Sequence, residues 1–384
     1  MCVSLGDAGQ VPASNDERIE SVRVAVDLVY FTGTKGGTET YARSLYTAIG
    51  RAYPDVELVG LLNTELREAP PDWFPGDTVN LPVSGENRVA WALAENTLVP
   101  AAALRARADV LHCPANFGPM LSRVPVVLTI HDLLSFRFPE LIPAAGARGV
   151  QMLTRTSAYG AKGMLTDSKA SAADLRKYLS IPRNRVEVIP LAAAGAPMAF
   201  AATPKNTRRP YLLSTGNRLP HKNFSTLLLA LAAMPRGQRP LLVVPGSHGD
   251  DPLRPLVTKL SLEQDVELLG WVGEHELDAL YRDAVAYVLP SRFEGFGLPI
   301  LEAMTRGCPV VCSDLPVLRE VGGDAALYTD TRDAGALSST IRRLTTQDGL
   351  RLRLINAGLE QAGRYSWDQT AQATYEVLRH VAGR

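Results

Sequence analysis

Two carboxylates separated by seven residues, Glu294 and Glu302, frame the most informative stretch of this 384-residue chain, SRFEGFGLPILEAMTRGCPVVCSD (291–314). Gly295 and Gly297 carry no Cβ, so the backbone there can approach a ligand closely. Pro299 suits the first turn of a helix, where its missing N–H costs nothing. The stretch reads as a strand, a glycine loop and a helix start, with Gly295, Phe296, Gly297 and Leu298 forming the turn. Free N–H groups at a helix start carry partial positive charge, which favours a phosphate or the developing charge of a leaving diphosphate. A carboxylate beside a phosphate is repelled by it, so both glutamates are better suited to accepting hydrogen bonds from sugar hydroxyls. Two such acceptors can hold two sugars.

A second stretch, STGNRLPHKNFSTLLLAL (214–231), passes from strand to loop to helix and carries Asn217, Arg218 and Lys222 in the loop. Cations there suit a diphosphate leaving group, whose accumulating charge they stabilise in the transition state. In the first half, TGTKGGTET (32–40) opens a helix after the first strand. It lacks the spaced three-glycine dinucleotide fingerprint, so Gly36 and Gly37 fit either a tight strand-to-helix turn or a close approach of backbone to phosphate or acceptor. His131 and Asp132 end the run PVVLTIHD (125–132), a position that faces the open end of a sheet. Asn116 in HCPANFGP (112–119), and Ser168 with Lys169 in TDSKAS, lie at similar strand ends and are candidates for acceptor binding. His221, His248 and His275 are scattered, and Asp250-Asp251 lacks a third ligand at suitable spacing, so no bound metal or other cofactor is expected. The cationic work falls to Lys222, Arg218 and the helix N-terminus.

The elements that must position these residues follow from short apolar runs alternating with longer amphipathic ones, the pattern of β/α units in a parallel sheet. RVAVDLVY (23–30), VELVGLL (56–62), DVLHCP (109–114), PVVLTIHD, GMLTDS (163–168) and RVEVIP (185–190) read as strands of a first domain. YLLSTG (211–216), PLLVVPG (240–246), VELLGWV (266–272), AVAYVLP (284–290) and PVVCSD (309–314) read as strands of a second. The division is an N-terminal extension over 1–21, a first domain over 22–195, a linker over 196–209 that is rich in Ala, Pro and basic residues, a second domain over 210–365 and a terminal helix over 366–384 containing Trp367. A hydrophobic content of 46% is enough for two cores. In such sheets ligands sit beyond the carboxyl ends of the strands, where all the singled-out residues fall.

Lys+Arg and Asp+Glu both number 40, so no basic excess argues for nucleic acid. Between Phe136 and Val186, nine basic residues face three acidic ones, which fits either solvated helix surface or contact with an anionic membrane or acceptor. Four irregularly spaced cysteines suit a reducing cytoplasm, and neither a signal peptide nor a membrane-spanning run is visible. The expected location is cytoplasmic, with peripheral contact at the inner face of the membrane as an option.

Glu294, seven intervening residues and Glu302, embedded in FEGFGLPILEA and followed by GCPVV, resemble the signature of glycosyltransferase family 4. The resemblance extends over nearly the whole chain. It implies a GT-B fold, in which two facing Rossmann-like β/α/β domains enclose the donor and the final helix crosses back onto the first. It also implies that Glu294 binds the transferred sugar, Glu302 the ribose of the nucleotide, Lys222 and Arg218 the diphosphate, and His131 the transferred sugar. The loop around Gly36 and Gly37 then faces donor and acceptor across the cleft. Asn217 stands where many members carry arginine. The implied activity is retaining, metal-independent transfer of a hexose from a nucleoside diphosphate sugar to a glycan, glycolipid or small-molecule hydroxyl, with GDP-mannose the first-choice donor and UDP-sugars next. A sugar-nucleotide epimerase or hydrolase of the same fold, and a non-catalytic binding module, are the alternatives.

Overall fold

The computed structural model describes residues 21–33, 36–141, 144–194, 209–247 and 249–383. Nearly all of the N-terminal extension and of the linker, together with His248, lies outside them. Seven strands, β1 (Arg23–Asp27), β2 (Glu57–Leu62), β3 (Asp77–Asn80), β4 (Val110–Cys113), β5 (Val126–Thr129), β6 (Gly163–Thr166) and β7 (Val186–Val188), form one sheet in the order β3-β2-β1-β4-β5-β6-β7. Six more, β8 (Tyr211–Leu213), β9 (Leu241–Ser247), β10 (Val266–Gly270), β11 (Ala286–Leu289), β12 (Val310–Ser313) and β13 (Ala326–Thr329), form a second in the order β10-β9-β8-β11-β12-β13. Every adjacent pair is parallel. The chain has two Rossmann-like domains.

Parallel strands covered by helices on both faces are buried along their length, and β4, β5, β11 and β12 are buried at every position, His112, Thr129 and Ser313 included. Eleven of the thirteen strands coincide with the apolar runs of the sequence. The edge strand β3, DTVN, was not visible there because all four of its residues are exposed and it has no apolar face to reveal it. β13 was not anticipated either; its ALYT is half-buried at the other sheet's edge.

Strand order reverses between β1 and β4 in the first sheet and between β8 and β11 in the second. At such a switch point neighbouring loops diverge to opposite faces and leave a crevice. The loops after β1 and β8 carry Gly36-Gly37 and Arg218 to Lys222, and those after β4 and β11 carry Asn116 and Glu294.

The terminal helix Trp367–Ala382 packs on helix Gly37–Ala52 and on β4, β5 and β6 of the first domain. Ser366 caps it by accepting from the Gln369 N–H at 3.1 Å. Thr370 Oγ1 donates to the Pro190 carbonyl at 2.7 Å, Arg51 pairs with Asp368, and the Tyr53 and Tyr375 rings lie 4.1 Å apart. Gly163 has no side chain, and this is necessary, because a Cβ there would lie 2.9 Å from Val381.

Candidate active site

The helix Leu298–Thr305 starts at Gly297, whose φ of +101° is left-handed and whose Cβ would lie 2.6 Å from Leu318 Cδ2. Only glycine suits both demands. Gly295 is required for a reason the sequence did not show. A Cβ there would lie 2.5 Å from the His131 carbonyl oxygen and 3.0 Å from Asp132 Cβ, so the close approach is to the backbone of the other domain rather than to a ligand. The Gly295 carbonyl accepts from Ser168 Oγ at 2.7 Å, and Ser171 Oγ lies 3.0 Å from both the Gly295 and the His131 carbonyl oxygens. Nearby, both carboxylate oxygens of Glu320 accept from the Lys169 N–H at 2.9 and 3.1 Å. The Phe296 side chain is buried against Tyr365, and Leu298 is half-buried against the core.

Lys222 closes a one-turn helix, Pro220–Lys222, after β8. The next residue, Asn223, is left-handed at φ +58°, and its Nδ2 donates to the carbonyls of Pro290 (3.0 Å) and Thr331 (2.8 Å), fixing this loop to the end of β11. Lys222 Nζ then lies 2.8 and 3.0 Å from the two Glu294 carboxylate oxygens, with both side chains largely buried. Asp132 belongs to the same electrostatic neighbourhood. Burial raises its carboxyl pKa, against the Leu134 N–H, His131 and Lys222. One strand end of the first domain, that of β5, and two of the second, those of β8 and β11, thus bring Lys222, Glu294, Asp132 and His131 together.

Glu302 is half-buried further along the same helix and accepts from Tyr281 OH at 2.9 Å. Thr215 Oγ1 lies 3.3 Å from that hydroxyl and 2.9 Å from Tyr287 OH. Burial raises the Glu302 carboxyl pKa, opposed by the Tyr281 hydrogen bond and by Arg306.

His131 Nδ1 is 2.7 Å from Asp167 Oδ2 and its Nε2 is 2.9 Å from the Pro114 carbonyl. Both partners are acceptors, an arrangement that favours donation from both ring nitrogens and so the imidazolium form. Burial works against that charge, but Asp167 and the Pro114 carbonyl outweigh it and hold the His131 pKa above its usual value. Tyr41 packs edge-on at 4.7 Å. Asn116, at φ +68°, accepts from the His131 N–H at 2.7 Å. Asn116 and Ser168, expected at the acceptor, are therefore engaged in holding His131 and Gly295.

Gly36 and Gly37 stand at the start of the 16-residue helix Gly37–Ala52, and among the described residues no atom lies within 4 Å of where a Cβ would be on either. Asn217 is exposed and accepts from the Leu219 N–H at 3.2 Å. Arg218 is placed otherwise than the sequence suggests: its guanidinium is buried and bonded to Asp251 and to three carbonyls, which is at odds with an open diphosphate contact. Asp167, Asp251, Tyr281 and Thr215 are parts of the site that the motifs did not single out. Asp167 lies in the TDS run between Thr166 and Ser168, and Asp251 in the Asp250-Asp251 doublet; neither position names its partner by spacing. Among the described residues, no group of three or more His, Cys, Asp or Glu side chains is arranged to hold a metal ion.

Known proteins agree with this arrangement over most of the chain. Residues 35–192 match the family described as Glycosyltransferase Family 4, and residues 197–361 match Glycosyl transferases group 1. O-antigen chain mannosyltransferase B of Escherichia coli is 34% identical over 289 residues, covering 72% of this chain and 76% of that protein. Sucrose-phosphate synthase from Thermosynechococcus elongatus superposes with a TM-score of 0.79 at 20% identity, over 94% of this chain and 99% of that one. Anabaena HepE, solved with UDP-glucose, gives a TM-score of 0.72 at 18% identity, over 93% and 99%. With a parallel sheet in each half, a terminal helix returning to the first, and a 34%-identical relative matched over three quarters of its length, the chain belongs to glycosyltransferase family 4 and has the GT-B fold.

Proposed function

We propose that this glycosyltransferase moves a hexose from a nucleoside diphosphate donor to a glycan, glycolipid or small-molecule hydroxyl with retention of configuration, without a divalent cation, and that its donor is GDP-mannose. The observation that carries this reading is the Lys222–Glu294 pair, set at the switch point between β8 and β11 beside the start of helix Leu298–Thr305. The ammonium has three donors, so it can keep Glu294 oriented toward sugar hydroxyls while turning another N–H to the departing phosphate. Glu302, deeper in the same helix, suits the ribose. In the proposed reaction the bond from the anomeric carbon to the phosphate oxygen breaks with its electron pair going to that oxygen. The acceptor hydroxyl attacks from the same face and its proton passes to the departing phosphate. His131 is poorly placed to take that proton, because both ring nitrogens are engaged, with Asp167 and with the Pro114 carbonyl. The choice of mannose is supported by the Escherichia coli relative, an O-antigen chain mannosyltransferase.

The test is thermal unfolding with GDP-mannose, UDP-sugars and dTDP-sugars, since a ligand of the folded state raises its stability. Product analysis with donor alone and then with acceptors follows. A rise with GDP-mannose and product only when an acceptor is present supports the proposal. A rise only with UDP-sugars replaces the donor, turnover of donor alone indicates an epimerase or hydrolase, and binding without turnover indicates a binding module.

Peripheral contact with an anionic membrane at the cytoplasmic face is part of the same proposal. No helix among the described residues is long and apolar enough to cross a membrane. Val89, Leu93, Met120 and Leu121 are exposed, the Met120 N–H donates to Asn96 on the helix that carries Val89 and Leu93, and Arg88 and Arg123 lie exposed beside them. Salt-sensitive co-sedimentation with phosphatidylglycerol vesicles, absent with phosphatidylcholine alone, is the expected result.

A further inference from the structure

Arg218 spends every hydrogen-bond donor it has inside the protein. Nε lies 3.0 Å from Asp251 Oδ2, Nη2 lies 2.9 Å from the same oxygen and 3.0 Å from the Val244 carbonyl, and Nη1 lies 2.7 Å from the Gly216 carbonyl and 3.2 Å from the Pro245 carbonyl. These contacts account for all five N–H groups of a guanidinium. The Phe224 ring covers the group at 5.0 Å, and the side chains of Arg218 and Asp251 are 6% and 3% exposed. Asp251 Oδ1 also accepts from the Leu253 N–H at 2.9 Å, which fixes the carboxylate in its own loop.

These bonds join the loop after β8 to the end of β9, the neighbouring parallel strand. Their most direct effect is on Gly216, whose φ is +132° and whose carbonyl Arg218 holds. The space beside the Gly216 Cα is occupied by the aliphatic stem of Lys222, with Cδ, Cε and Cγ 3.7 to 3.9 Å from where a Cβ would be. A connected path therefore runs from Asp251 through Arg218 and Gly216 to Lys222, whose Nζ meets Glu294.

We infer that Arg218 and Asp251 form a positioning pair, which shapes the loop so that Lys222 stands at the donor phosphates, and that Arg218 itself does not bind the diphosphate. The inference rests on the proposed donor chemistry and adds Asp251 to the residues on which turnover depends.

The two roles differ in sign for a substitution at Asp251. If Arg218 bound phosphate, Asp251→Asn would free the cation and remove a nearby negative charge, and nucleoside diphosphate would bind more tightly. For a positioning pair, Asp251→Asn repeats the defect of Arg218→Ala. Arg218→Lys separates them again, because lysine keeps the charge but loses the planar five-donor fork. Calorimetric titration with GDP and UDP, together with steady-state kinetics on protein shown folded by circular dichroism, reads both. The expected result is that all three variants lower kcat per folded molecule by about 100-fold, the scale of a 1 Å misplacement, and weaken the bound nucleoside diphosphate in the same direction, within threefold of one another. Tighter or unchanged binding in Asp251→Asn alongside a large loss in Arg218→Ala overturns the inference, as does near-normal turnover in Arg218→Lys. A fall in melting temperature with unchanged kcat per folded molecule reduces the pair to scaffolding and overturns it too. If Arg218→Ala does not fold, the isosteric Asp251→Asn carries the test. Wild-type protein that binds neither GDP nor UDP refutes the proposed function itself.

Discussion

Gly295→Ala is a one-methyl change whose effect can be worked out from the closed cleft. The added Cβ would lie 2.5 Å from the His131 carbonyl oxygen, where ordinary van der Waals contact begins at 3.4 Å, so one domain must retreat by about 0.9 Å (3.4 − 2.5). Neither neighbour can yield cheaply, since one is backbone and the other is Asp132 Cβ, held in a turn by its 2.8 Å bond from the Leu134 N–H. A misplacement of about 1 Å costs about 100-fold in rate, or about 2.7 kcal/mol on the barrier. The clash lies between domains, so opening the cleft relieves it without disturbing either core. The expected result is a kcat down by about 100-fold, with nucleoside diphosphate affinity and melting temperature close to wild type. Gly297→Ala is the control. It puts a side chain at φ +101° and 2.6 Å from Leu318 of the same domain, so it should lower stability by at least about 1–2 kcal/mol. Steady-state kinetics, calorimetry and thermal unfolding on both variants decide. Wild-type turnover in Gly295→Ala, or a loss of stability matching that of Gly297→Ala, would falsify the interdomain account.

Glu302→Gln should weaken donor and free nucleoside diphosphate alike, whereas Glu294→Gln should lower turnover with little change in nucleoside diphosphate affinity. Equal losses of affinity on titration mean that the two roles are misassigned. Activity should survive excess EDTA, because Lys222 and the helix start supply the positive charge; loss restored by magnesium or manganese shows a missed metal site. The His131 pKa is raised above 6.5 in the folded protein, so the stabilisation from its pairing with Asp167 is complete below that pH and fades as pH rises through the folded value. Wild type should therefore exceed Asp167→Asn in stability most below pH 6.5, with the difference shrinking at higher pH; a difference that grows with pH contradicts the imidazolium assignment.

The residue string by itself determined a great deal here. Apolar runs of strand length predicted eleven of thirteen strands, because parallel strands packed between helices are predominantly apolar. Glu294, Gly295, Gly297 and Glu302 were legible as a turn into a helix, since local backbone geometry restricts which residues can stand there. The edge strand β3 escaped because exposure removes the apolar signal. The partners of the charged side chains escaped as well. Asp167 lies 36 positions from His131 and Asp251 lies 33 from Arg218, distances over which no local periodicity connects two residues. Only the folded chain decides whether a cation is met by a carboxylate. A guanidinium with every donor filled inside the protein and an ammonium at the cleft mouth look alike as letters in a loop. Gly295 shows the same limit, since what makes it glycine is a carbonyl that another domain brings within 2.5 Å of where a Cβ would stand.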